Sequence, residues 1–372
     1  MKLGRNEKCW CGSGLKFKRC HLNRDEQEAI SKSEAIKASN KINSRECCMI
    51  PSELSHECTN KIINAHTVSK SGSLAAIADN TNHVMGLKIS LPNLLKGRGK
   101  LRPEPVGINQ ASTFKGFCSY HDNSLFSCVE DQEFVCSEEQ CFALAYRSVA
   151  KEMYAKQNST EVNDFLRDAD KGKGSFDQFA IQQFVTLNGL GAAAAVKDLS
   201  MLKGELDKQL IGGKSSELCH LVFQSDTPPP VMVSSILAPT IDFNGNTIQD
   251  LGDLSVVPDQ VCFNSFASDG KGYVVFSWLK SAEISTDFIN TLLAVEPSKQ
   301  FHALVRFFFG YAENTFFSKN WWQGLSKIAQ SKVQSLIMSG ASPFEADSTD
   351  KLVDDGTDFG FWEITNIQRL NF

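Results

Sequence analysis

The spacing of apolar positions changes twice along the chain. Between 137 and 210 they recur at helical intervals: Phe142, Ala145, Tyr146, Val149 and Met153, then Phe179, Phe184 and Leu187, then Val196, Leu199, Leu202, Leu206 and Leu210. Such spacing lines one face of a helix. Ser137 with Gln140, and Ser175 with Gln178, have the spacing of a capping box and predict two helix starts, while Gly189 and Gly191 mark an interruption. From 218 to 280 the pattern becomes runs of Val, Ile and Phe: Leu218–Gln224, Val231–Ile241, Val261–Ala267 and Tyr273–Leu279. Asn244-Gly245 and Asp269-Gly270 lie between them as hairpin turns, so these runs predict an antiparallel sheet. Residues 285–340 return to the helical period, with Phe301, Leu304, Val305 and Phe308 on one stripe. The acidic stretch 341–372 holds one strand-like patch, Phe359–Ile364.

Ahead of this the pattern is sparser. Leu22 to Arg45 is rich in Glu, Lys, Ser and Ala, lacks Gly and Pro, and reads as an exposed helix with too few apolar positions for a core. Within 46–130, Ile62–Val68 reads as a strand, Leu74–Ala78 as a short helix and Val84–Ile89 as a second strand. Lys96 to Pro105, rich in Gly, Lys and Pro, reads as a loop. The expected fold class is α+β: residues 1–21 a metal knuckle, 22–45 a basic helical connector, 46–130 a second metal unit, and 131–372 a body of helices packed with an antiparallel sheet.

Composition narrows the setting. A chain of 372 residues with 42% hydrophobic and 22% charged residues is ordinary globular material. The net charge of -5 argues against a chain coated in cations. It is unevenly spread: residues 1–46 carry 11 Lys/Arg against 6 Asp/Glu, a local +5, which leaves -10 on the remainder. A basic arm on an acidic body suits contact with nucleic acid or an acidic protein; a solvated connecting helix is the competing reading. No secretory leader is visible at Met1–Lys8, and Phe301–Tyr311 is interrupted by Arg306 and far short of the roughly 20 residues that span a bilayer. The expected location is the cytoplasm, with no membrane partner. Twelve Cys in a reduced compartment point to metal where they cluster with His. Seven precede residue 120; Cys128, Cys136, Cys141, Cys219 and Cys262 are scattered and read mostly as small buried hydrophobes.

Cys9-Trp10-Cys11 puts two sulfurs on one tight turn, and Cys20-His21 supplies two more donors eight residues later. Thiolate and imidazole in a set of four are the ligands of a closed tetrahedral zinc site. A segment this short buries no core, so metal would provide most of its folding free energy, on the order of 10 kcal/mol. Gly12-Ser13-Gly14 allows the loop between the pairs. The stretch Gly4 to His21, with its Cys-x-Cys-x8-Cys-His pattern, closely resembles the SEC-C motif, the zinc module at the C-terminus of the SecA translocation ATPase. The resemblance implies zinc and a docking role, since in that family the module docks onto proteins, in SecA onto the SecB chaperone and the ribosome. Lys16, Lys18 and Arg19 would then form the contact face.

A second group, Cys47, Cys48, Cys58, His66, His83, Cys118 and His121, follows. Cys118-Ser119-Tyr120-His121 has the gap that places both donors on the first turn of a helix, here Asp122–Val129, and Cys48 with Cys58 completes a second zinc set of treble-clef type. Cys47 and His56 are alternatives to Cys48 or Cys58. His66 at a strand end, with Asn82 and His83 beyond it, resembles the HNH nuclease arrangement. That resemblance implies His66 as general base, Asn82 and His83 in the other two roles, and Mg²⁺ or Mn²⁺ as catalytic metal. Ala65-His66 departs from the double His usual there, and His66 as a structural residue is an equal reading. The sequence thus favours a cytoplasmic bacterial zinc protein, with Zn²⁺ at two sites, that engages a protein or nucleic-acid partner. The alternative is an HNH-like endonuclease acting in defence against foreign DNA.

Overall fold

Runs of branched and aromatic residues form ten strands in the computed structural model, which describes residues 3–87, 102–213, 216–339 and 348–372. They are β1 (Ile62–His66), β2 (His83–Gly86), β3 (Glu104–Gly107), β4 (Thr113–Cys118), β5 (Leu218–Ser225), β6 (Val231–Leu237), β7 (Val261–Ser268), β8 (Lys271–Leu279), β9 (Thr315–Phe317) and β10 (Asn366–Leu370). β1 and β4 pair by themselves, with Ile62 opposite Cys118 and His66 opposite Thr113. The other eight make one antiparallel sheet in the order β10-β5-β8-β7-β6-β9-β2-β3. With the helices, the protein is α+β.

The chain divides into two compact units: residues 1–45 with 154–197, and residues 46–153 with 198–372. In the larger unit the strands β5 to β8 are buried on both faces, while the edge strands β10 and β3 are not. Along β8, Val274, Phe276 and Trp278 join the core formed with helices Glu283–Leu293, Pro297–Tyr311 and Lys327–Ser339, while Tyr273 and Val275 meet Phe134, Cys136, Cys141 and Leu144. The period of two is therefore invisible as polarity, because both alternating sets are apolar. Phe307 lies at the centre of the first core, its ring 4.6 Å from Phe263, 5.6 Å from Phe288 and 5.7 Å from Phe276. Arg306, the charge that interrupts the Phe301–Tyr311 run, is buried against the Leu352 carbonyl and Asp354, both in the acidic stretch.

β7 and β8 meet at Asp269-Gly270, whose φ values of 48° and 76° suit the left-handed turn that matches strand twist. Asn244-Gly245 is also a turn, but Asp242 closes it inside the connection after β6, accepting from the N–H groups of Asn244 and Asn246. β6 accordingly stops at Leu237 rather than Ile241. The final strand is Asn366–Leu370 and not Phe359–Ile364, whose Phe359 and Trp362 fill the core. The 285–340 region is broken by β9, because Thr315–Phe317 bridges β6 and β2. Of the expected loop Lys96–Pro105, residues 96–101 lie outside the described residues, and Glu104 and Pro105 begin β3.

The helical region consists of Glu138–Leu166 and Ser175–Gly212, separated by a turn at Arg167–Asp170. Ser137 and Gln140 form the expected cap, the Ser137 hydroxyl accepting from Gln140 N–H and the Gln140 side chain from Ser137 N–H. At the second start, Gln178 instead donates to the Lys173 carbonyl. Gly189 and Gly191 do not break the helix, which runs through them. Ser175–Gly212 is also long and apolar enough, by length and composition alone, to cross a membrane. Phe301–Tyr311, among the longest apolar stretches in the sequence, is therefore not the segment nearest to a span by this measure. In Ser175–Gly212, Gln, Asn and Thr punctuate the apolar residues, so no continuous run stands out, yet no charge falls between Gln178 and Val196. Before these helices, the exposed-helix reading of Leu22–Arg45 holds only for Lys32–Asn43, capped by Ser31 and Glu34.

Because Phe307 is enclosed by aromatic neighbours, Phe307→Ala should cost about 3–5 kcal/mol, read as a lowered midpoint in urea unfolding.

Candidate metal centres

The N-terminal knuckle is drawn together by its own backbone. Cys9 N–H donates to the Leu15 carbonyl at 2.8 Å and Phe17 N–H to the Glu7 carbonyl at 2.8 Å, closing a loop over Gly12 and Gly14. Both glycines have left-handed φ, 76° and 73°, where a side chain would be strained. Phe17–Arg19 then makes a single 3₁₀ turn that delivers Cys20 and His21 to the same side. The His21 Nδ1 lies 3.2 Å from Cys9 Sγ and 3.1 Å from Cys20 Sγ, and Cys11 Sγ lies 3.5 Å from Cys20 Sγ. All four donor atoms lie within 4.8 Å of one another. Zinc bonds of about 2.3 Å to sulfur and about 2.0 Å to nitrogen give tetrahedral edges of roughly 3.5–3.8 Å, so the donors need little movement to take the ion.

Burial pushes the Cys20 thiol up to about 12 and raises Cys9. At Cys11 burial is outweighed by hydrogen bonds from the Ser13 hydroxyl and N–H, which draw its pKa below the ordinary value. Cys9, Cys11, Cys20 and His21 would hold a zinc ion, and the three cysteines would have to give up their remaining protons to bind it as thiolates. With Nδ1 turned to the sulfurs, the ring hydrogen sits on Nε2 and is donated to Asp170 Oδ2 at 2.8 Å. Asp170 is fully buried. No motif announces it, for it lies 149 residues from His21 in a helical turn with no cysteine or histidine beside it.

The second centre gathers Cys48, Cys58, Cys118 and His121, again with all donor atoms within 4.8 Å. Cys58 ends the 3₁₀ turn Ser52–Glu57, Cys118 ends β4, and His121 stands in the first turn of the helix Ser119–Glu130. The His121 Nδ1 is 3.2 Å from Cys118 Sγ and 3.4 Å from Cys48 Sγ. Cys47 N–H donates to the Lys115 carbonyl, and exposed His56 bonds the Glu53 carbonyl through Nδ1; neither joins the group. Burial pushes the Cys48 thiol up to about 12. At Cys118 burial is overcome by N–H groups of His121 and Thr59, which bring it down to about 6. Here the outer imidazole nitrogen differs from the first centre: His121 Nε2 is buried with no hydrogen-bond partner among the described residues, and Glu57 is 3.9 Å away.

His66, Asn82 and His83 meet around one backbone segment. His66 Nε2 donates to the Ile108 carbonyl at 3.1 Å, Asn82 accepts through its carbonyl from Ile108 N–H at 3.0 Å, and His83 pairs with Gly107 across β2 and β3. The His83 ring turns instead to Thr81, with Nδ1 2.8 Å from its carbonyl, and Asn82 holds a left-handed φ of 58° with its side chain exposed. Among the described residues no set of three metal donors includes any of the three.

The fold and the two clusters define an α+β protein that carries two centres of three cysteines and one histidine, each with the donor set of zinc. Residues 5–23 match the family model of the SEC-C motif. No curated protein and no solved structure matches the chain.

Metal analysis of the purified protein should give about two zinc ions per chain, and Cys11→Ser and Cys58→Ser should each lower it to about one. A wild-type value near one would remove one centre.

Proposed function

We propose that this is a zinc-stabilised adaptor that engages an anionic partner, nucleic acid or an acidic protein surface, through the SEC-C knuckle in the cytoplasm. The carrying observation is how the metal fold gathers positive charge. Lys8 and Lys16 bridge as antiparallel neighbours, and Lys18 N–H donates to the Arg5 carbonyl at 3.0 Å. Arg5, Lys8, Lys16, Lys18 and Arg19 are thereby held on one small knuckle, all exposed. Among the described residues none of Lys16, Lys18 and Arg19 makes an ion pair, and exposed Leu15 lies beside them. Fixed cations with an apolar contact suit phosphate oxygens or carboxylates, with affinity that falls as salt rises. Twelve cysteines, six of them in the two donor sets and none in a disulfide among the described residues, suit a reducing compartment.

A second reading, an HNH-like metal-dependent endonuclease, is favoured by the setting of His66. It ends β1, opposite the start of β4, and the helix Ser119–Glu130 follows β4 directly. Donation from Nε2 to the Ile108 carbonyl leaves Nδ1 with the lone pair, and burial holds the imidazole below its ordinary pKa, hence neutral at pH 7. A neutral, oriented imidazole has what a general base needs.

Fluorescence anisotropy with labelled RNA and DNA tests the first reading. Binding should weaken steadily with salt, and the triple change Lys16→Glu, Lys18→Glu, Arg19→Glu should weaken it at least about tenfold. No binding at low salt would leave an acidic protein as the partner class; unchanged binding by the triple variant would reject the knuckle as the contact. For the second reading, wild type and His66→Ala are incubated with plasmid in Mg²⁺ or Mn²⁺. Cleavage by wild type alone supports a nuclease, and intact plasmid with both proteins argues against it.

A further inference from the structure

The strongest unassigned feature lies behind His21, at the buried carboxylate of Asp170. Its Oδ2 accepts from His21 Nε2 at 2.8 Å and from Gln182 Nε2 at 2.7 Å. Its Oδ1 accepts from the Arg24 guanidinium at 2.6 Å. The three donors come from the knuckle, from the chain just after it, and from the helix Ser175–Gly212. Arg24 also donates to the Arg167 carbonyl at 2.9 Å and to Asp168 at 3.0 Å, and Gln182 donates to the same Arg167 carbonyl at 2.7 Å. Gly172 N–H closes on the Arg24 carbonyl at 3.0 Å, where a Cβ would stand only 2.9 Å from the Gln27 carbonyl oxygen. The Trp10 ring packs 4.5 Å from His21 and 5.8 Å from Phe179.

We infer that Asp170 is the positioning residue of the N-terminal metal centre: its carboxylate orients His21 as an Nδ1 ligand and ties metal occupancy to the packing of residues 154–197. A buried carboxylate is tolerable only while its donors are in place. One donor is a ring whose other nitrogen faces Cys9 and Cys20, where a bound metal would fix its orientation. A carboxylate behind a ligating imidazole fixes the tautomer and raises ligand basicity, and its loss typically costs about 10- to 100-fold in metal affinity. The ion therefore holds more than an 18-residue knuckle; its binding free energy is shared with helices that supply no ligand. The inference rests on metal at this centre and is independent of any partner.

The test uses the full-length protein as wild type, Asp170→Asn and Asp168→Asn. Zinc is titrated against a chromophoric chelator, each step being assigned to its centre with Cys11→Ser and Cys58→Ser. Asp170→Asn should weaken the N-terminal step by about 10- to 100-fold and leave the other unchanged. Asp168→Asn, which touches Arg24 but not His21, should leave both steps as they are. Unaltered affinity in Asp170→Asn, or an equal loss in Asp168→Asn, would overturn the assignment. If Asp170→Asn does not fold, hydrogen exchange of the wild type decides. Chelator should speed exchange across 154–166 and the first turns of Ser175–Gly212, and unchanged exchange there would refute the coupling.

Discussion

A knuckle of some twenty residues cannot exclude enough water from apolar side chains to hold itself together, and everything at the N-terminus follows from that constraint. Its interior is four polar donors, an arrangement that would be unstable without a cation to neutralise it. Local backbone bonds set the loop, left-handed glycines let it turn, and a metal held by the four donors would supply the attraction that a larger protein draws from its core. The larger unit shows the opposite regime. There Phe243, Phe263, Phe276, Phe288 and Phe307 crowd around one point, and dispersion and water exclusion do the work. The protein combines two modes of cohesion, one polar and ion-dependent, one apolar.

The two centres share a donor set but differ in what stands behind the imidazole. His21 is backed by a buried carboxylate that two further side chains also hold. Among the described residues His121 has no hydrogen-bond partner at its outer nitrogen, only a half-exposed Glu57 nearby. Outer partners fix ring orientation, so the first site is geometrically over-determined. The second relies on secondary structure instead: Cys118 and His121 are positioned by the strand-to-helix junction, and β4 is held in turn by β1.

Both ligand sets were legible because their chemistry is carried by rare residue types at short spacing, as in Cys9-Trp10-Cys11 and Cys118-x-x-His121. The Val- and Phe-rich runs announced the sheet, and Asp269-Gly270 its tightest turn. Less could be read where an element is decided by distant partners. Phe359–Ile364 has a strand's composition, but Phe359 and Trp362 are used as core wedges and the pairing falls to Asn366–Leu370. Val84 and Met85 looked like part of the second metal unit, yet β2 joins the large sheet between β9 and β3. Asp170 had no local signature at all, since its role comes from three donors that the fold alone collects. The places of Asn82 and His83 depend likewise on how β2 meets β3, which no single stretch encodes.

The order of strands in the large sheet bears on how the chain is made. β8 and β7 are neighbours in sequence and form a hairpin, so their edges can meet as soon as both have left the ribosome. β5 sits on the other side of β8, and its outer edge is covered by β10, which among the described strands comes last in chain order. Until β10 arrives, β5 presents a row of unpaired amides flanked by Leu221, Val222 and Phe223, a surface prone to pair with the wrong chain. The short strand Asn366–Leu370 therefore acts as a seal over an edge that would otherwise be open to pairing with another copy.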